Sequence, residues 1–122
     1  MLTVKTTLVL GASPNPERYA HKACLELMRR GHPTIAIGKQ EGTIQDLRIQ
    51  TDRQKHQNVN TVSLYLNPKH QSDWYAYLLA LQPLRIIFNP GAENPELSQL
   101  ARQHGIDTVE ACTLVLLRTG QY

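Results

Sequence analysis

The sequence predicts an α/β fold: a doubly wound, mainly parallel sheet of about five or six strands with helices on both faces. Three observations carry this expectation. Short apolar runs alternate with helical stripes along the chain. Leu8-Val9-Leu10, Ile35-Ala36-Ile37 and Ile86-Ile87-Phe88 are unbroken apolar runs, as strands covered on both faces require. Turn residues collect just after these runs, at the end where open α/β sheets bind ligands.

The first strand ends at Gly11, where a tight turn passes through Ala12, Ser13, Pro14 and Asn15. Pro16 suits the first position of a helix. Ala20, Ala23, Cys24, Leu27 and Met28 then form one helical stripe, with Arg29 and Arg30 at its negative end and Gly31 just past it. Residues 33–37 read as the second strand. Residues 38–60 carry the weakest signal: 43–44 and 47–49 suit short strands, and 50–58 a loop or a single helical turn. Residues 61–66 form a clear strand. Asn67 and Pro68 make an N-cap and first helical position, and Trp74, Tyr77, Leu78 and Leu81 a further stripe that Pro83 ends. The strand at 85–88 leads to the turn Asn89-Pro90-Gly91-Ala92. Asn94 and Pro95 repeat the cap pattern, Leu97, Leu100 and Ala101 face inward, and Gly105 stops the helix. Residues 106–109 read as a strand, and 113–117 as a further short strand or an ending packed on the sheet.

A chain of 122 residues is read as one domain, 1–122, large enough to build a core without metals or disulfides. The net charge of +3 is mild and the basic residues are scattered, which argues against a nucleic-acid surface. The longest apolar runs are too short for a membrane span, and the first stops at Gly11, unlike a signal peptide. Two cysteines, Cys24 and Cys112, make no disulfide framework. These features lead us to expect a cytoplasmic, reduced protein.

The chemistry concentrates in the loops. A glycine turn that feeds a helix N-terminus is an anion site, so Gly11, Ala12, Ser13 and Pro14 are candidate phosphate binders. The loop is neither G-x-G-x-x-G nor a P-loop. Arg18 is a cation near the positive end of a helix, a placement that makes sense opposite a phosphate. Lys39 follows the second strand, where an NAD site needs a carboxylate. A lysine there favours a ribose phosphate, as in NADP or coenzyme A. Each feature also has a plainer reading: a tight turn, a surface arginine, a solvated lysine. His21, His32, His56, His70 and His104 show no metal spacing and are expected on the surface or on helix faces. No catalytic constellation is visible. Cys24 sits on a core stripe, and Cys112 follows a strand end. Trp74, Tyr75 and Tyr77 suit core or a dimer surface, which leaves a homodimer open.

In Gly11-Ala12-Ser13-Pro14-Asn15-Pro16-Glu17-Arg18, Tyr65-Leu66-Asn67-Pro68, Phe88-Asn89-Pro90-Gly91 and the late Cys112, the chain resembles the small single-domain CoA-binding proteins. Their Rossmann-like fold is similar to the N-terminal domain of the succinyl-CoA synthetase alpha subunit. The resemblance covers most of the chain. It departs at Gly38-Lys39, where the family has asparagine-proline, at Asn89 in place of a glutamine, and at Glu110-Ala111 in place of aspartate-arginine. It implies non-catalytic binding of CoA or an acyl-CoA, because the synthetase's catalytic histidine lies in a further domain. The Gly11 to Ser13 backbone and Arg18 would hold the pyrophosphate, and Lys39 the adenosine end. Asn67, Pro68, Asn89, Pro90 and Gly91 would line the opposite wall. The expected partner is thus a small nucleotide ligand, without nucleic acid or membrane. An NADP-dependent oxidoreductase-like domain and a degenerate interaction module are the alternatives.

Overall fold

The computed structural model describes residues 3–122. Six strands run parallel: β1 (Thr7–Leu10), β2 (Thr34–Ile37), β4 (Leu47–Gln50), β5 (Thr61–Leu64), β6 (Arg85–Phe88) and β7 (Asp107–Glu110). β3 (Gly42–Ile44) pairs antiparallel with β4, and the seven-stranded order is β3-β4-β2-β1-β5-β6-β7. Four helices accompany them: α1 (Tyr19–Arg29), α2 (Tyr75–Leu81), α3 (Pro95–Gln103) and α4 (Thr113–Arg118). The fold is the Rossmann-like α/β arrangement that the sequence predicts.

Strand alternation sorts the core into two layers. Leu8, Leu10, Val62, Leu64, Ile86 and Phe88 pack with Leu78 of α2 and Leu97 and Ala101 of α3. Val9, Ala36 and Ile49 pack with Ala20, Cys24 and Leu27 of α1 and Leu117 of α4. The register matters for the site. Leu10 pairs with both Ile37 and Leu64, and Leu64 with Phe88, so β1, β2, β5 and β6 end level. Their following loops leave from one edge.

Two expectations are corrected. α1 opens at Tyr19, not Pro16. Residues 15–18 instead close a turn: the Arg18 N–H donates to the Asn15 carbonyl at 3.1 Å, and the Asn15 side chain accepts from the Glu17 N–H at 3.0 Å. Pro16 occupies the second place of that turn, which suits its fixed φ. The segment after Asn67 is not one helix. Two 3-10 turns, Pro68–His70 and Ser72–Trp74, precede α2. Between them the Gln71 side chain is buried and donates to the carbonyls of Leu66 at 2.9 Å and Ala92 at 2.7 Å. Of the two readings of 113–117 the packed ending holds: residues 113–118 form a helix, because Thr113, Leu114 and Leu117 bury one helical face. Of the two readings of 50–58 the loop holds: residues 51–60 carry the chain back from β4 to β5 without regular structure. Arg53 stacks there over the Trp74 ring at 4.1 Å, and the Tyr77 hydroxyl donates to the Gln54 carbonyl at 2.6 Å.

Candidate ligand-binding cleft

Strand order reverses at β1, with β2, β4 and β3 on one side and β5, β6 and β7 on the other. Loops that leave β1 and β5 therefore turn to opposite faces and open a crevice at the carboxyl edge of the sheet. A cleft of about 740 Å³ lies there, a size usual for small-molecule sites. It brings together Gly11, Ala12, Ser13, Pro14 and Arg18 from the loop after β1, with Lys39 after β2. Asn67 and His70 after β5 and Pro90 after β6 complete it. Pro68, Asn89 and Gly91 lie outside its lining.

The loop after β1 is held by its own backbone. Gly11 has φ +102°, and a Cβ there would press on Tyr65 at 3.1 Å. The Ile37 carbonyl accepts both the Gly11 and the Ala12 N–H at 2.9 Å. These two amides are therefore committed to β2 and not free for a phosphate, contrary to the sequence expectation. Pro14 has no N–H. The free donors are the Ser13 N–H and, at the start of α1, those of Tyr19, Ala20 and His21, which have no partner among the described residues. A helix start with open N–H groups attracts an anion.

The charge of the cleft agrees with this. Arg18 and Lys39 are exposed, and among the described residues neither pairs with a carboxylate. Arg18 is the extended N-cap residue of α1, at φ −78° and ψ 139°. Glu17 is the acidic residue at the rim. His21 is a residue that sequence reasoning missed. Its ring is buried, and Nδ1 lies 2.9 Å from the Ser13 carbonyl. The one signal for it is its place beside Ala20 at the start of the core stripe.

Asn89 has a different task from the one expected. It is fully buried, and its Nδ2 donates to Ser63 Oγ and to the Leu64 carbonyl, both at 3.0 Å. Its Oδ1 accepts the Thr113 N–H at 2.8 Å. It thus caps α4, whose own N-cap residue, Cys112, supplies no side-chain bond. The Tyr65 hydroxyl is enclosed near Ser63 and Thr113 without a hydrogen-bond partner, and burial pushes its ionisation up. Outside the cleft lining, Asn94 donates to Gln71 Oε1 at 2.9 Å and to the Tyr75 hydroxyl at 2.8 Å. That network fixes the β5 and β6 loops against each other. Cys24 is buried, which pushes its thiol up to about 12, and Cys112 is half-buried outside the cleft lining.

The family model described as "CoA binding domain" matches residues 5–118, and the chain belongs to that family. Among solved structures, a protein described as uncharacterized is 42% identical, with a TM-score of 0.97 over 99% of this chain and 100% of its own. A protein of Thermus thermophilus is 23% identical, with a TM-score of 0.81 over 98% of this chain and 91% of its own. A hypothetical protein of Pyrococcus horikoshii is 19% identical, with a TM-score of 0.81 over 94% and 83%. The last two share the fold. No curated protein matches the chain. Among the described residues, no helix is long and apolar enough to cross a membrane.

Proposed function

We propose that this member of the CoA-binding domain family binds CoA or an acyl-CoA in the cleft between β1 and β5, as a module without turnover of its own. The observation that carries this is the meeting of two unpaired cations, Arg18 and Lys39, with the open N–H groups of α1 in one cleft. CoA is long and polyanionic, with a pyrophosphate and a ribose 3′-phosphate set apart. Arg18, the Ser13 N–H and the start of α1 suit the pyrophosphate. Lys39, on the β2 side, suits the ribose phosphate. Asn67 and Pro90, on the opposite wall, would meet the pantetheine arm.

Lys39 alone favours a second reading, because a ribose 2′-phosphate of NADP would suit it equally. Native mass spectrometry of gently purified protein and thermal shifts with CoA, dephospho-CoA and NADPH separate the two. CoA at a hundred times its Kd stabilises the protein by about 2.7 kcal/mol. Dephospho-CoA is expected to do less. A larger shift with NADPH would favour the oxidoreductase-like domain, and no shift with any of them an interaction module without ligand.

A further inference from the structure

We propose that His21 is a positioning residue for the anion-binding loop: its Nδ1–H holds the Ser13 carbonyl and so sets the loop for a phosphate-bearing ligand. This rests on the cleft being a site for such a ligand.

The proton assignment follows from the partner. A backbone carbonyl only accepts, so the ring nitrogen 2.9 Å from it must carry the hydrogen. Nδ1 keeps that hydrogen in the neutral tautomer and in the imidazolium alike, so the bond survives a change of charge. His21 is 8% exposed, so water does not readily replace the bond if the ring is lost.

The bond also occupies a particular place. Residues 11–14 are tied to β2 through the Ile37 carbonyl. Pro14 packs on Gly42 so tightly that a Cβ there would come within 2.8 Å of the proline ring. Among the described residues, the His21 bond is the one hydrogen bond between α1 and residues 11–14. It joins the two sources of free N–H groups, Ser13 and the first turn of α1, into one frame. It also acts on charge. An unpaired Ser13 carbonyl would oppose an anion bound at the loop, and a donated N–H offsets its negative end. Preorganised donors of this kind are worth most where the ligand charge is fixed against them.

The test compares wild type, His21→Asn and His21→Leu by calorimetric titration with CoA and separately with inorganic pyrophosphate. Asparagine can place a donor near Nδ1, while leucine keeps only bulk. His21→Leu is expected to lose roughly five- to hundredfold in affinity for both probes, with His21→Asn recovering most of it. If wild type binds CoA and His21→Leu binds it equally well, the positioning role is overturned and the CoA reading stands. If wild type binds pyrophosphate but not CoA, with the same pattern among variants, the CoA reading fails and the positioning role stands. Binding of neither overturns both. Should His21→Leu fail to fold, imidazole ¹⁵N spectra of the wild type decide: a protonated Nδ1 whose signal moves with pyrophosphate supports the role, and the Nε2–H tautomer or an unmoved signal overturns it.

Discussion

The Ala12 carbonyl oxygen lies so close over Gly38 that a Cβ at residue 38 would collide with it. The cause is the double use of the Ile37 carbonyl, which draws the Gly11 and Ala12 amides onto the end of β2. Gly38 is thus the floor of the loop after β1, and the departure from the family's asparagine at this position has a steric reason within this chain. Gly38→Ala forces a Cβ against the Ala12 backbone carbonyl, a contact that no rotamer change relieves. A loss of about 1–3 kcal/mol is expected, read as a drop in the denaturation midpoint. A variant as stable as wild type would show that the loop moves freely over β2.

Asn89 offers a second test, because its burial and its bonds assign it to the scaffold. Asn89→Ala strands the Thr113 N–H and removes the cap of α4, and it leaves the Ser63 hydroxyl with Thr113 Oγ1 alone and the Leu64 carbonyl with the residue 89 N–H alone. The expected cost is about 2–3 kcal/mol of stability. Once the fraction folded is accounted for, CoA affinity should change little. Intact stability with weakened binding would return Asn89 to the role its sequence position suggested.

The contrast between Asn89 and Asn94 shows what the chain discloses locally. Asn94 caps α3 by accepting the Leu97 N–H at 3.2 Å, three residues away, with Pro95 beside it. Both partners fall in one short window, so the cap is legible. Asn89 reaches Thr113 and Ser63, and His21 reaches back to Ser13, across separations that no periodicity encodes. β6 was legible in full because a strand buried on both faces is an unbroken apolar run. The β3–β4 hairpin was faint because both strands are half-exposed, β3 has three residues, and the turn uses Gln45 at φ 55° rather than glycine. In the cleft, residue types were legible and amide allegiances were not. Nothing in Gly11-Ala12 announces that the Ile37 carbonyl claims both N–H groups.

The two cysteines should differ in reactivity. Burial holds the Cys24 thiol at about 12, while Cys112 is partly open. The thiolate is the reacting species, so a disulfide reagent at pH 8 should modify Cys112 in the native protein and leave Cys24 untouched until unfolding. Mass spectrometry of the labelled protein checks this. Rapid native labelling of Cys24 would mean that α1 opens readily from the sheet.

Glu26 gives the acid limb of stability a defined origin. Arg29 lies 2.7 Å and Arg30 2.9 Å from its carboxylate, and the hydrogen bond from Arg29 leads in drawing its pKa from 4.5 down to about 2. Because the folded value is depressed, the stabilisation is complete above pH 4.5 and disappears as pH falls toward 2. The pairs are partly exposed and solvent screens them, so about 0.2–1 kcal/mol is expected. Melting temperatures of wild type and Glu26→Gln should differ at pH 7 and converge near pH 2. A constant gap across that window would place the effect in packing instead.

Arg18→Ala should separate binding from stability. Arg18 is exposed, has no carboxylate partner among the described residues, and makes no side-chain cap bond to α1. Its cation stands at the positive end of the helix, so its removal should leave apo melting unchanged or raise stability by about 0.3–1 kcal/mol. Opposite a pyrophosphate the same cation makes charge-assisted hydrogen bonds worth about 1.5–3 kcal/mol, so CoA affinity should fall roughly tenfold to a hundredfold. Arg18→Lys should lose part of this, since an ammonium cannot form the bidentate fork. Apo melting curves and calorimetric titrations of the three proteins give both quantities. A collapse of apo stability would make Arg18 a structural residue, and an unchanged affinity would move the phosphate away from the start of α1.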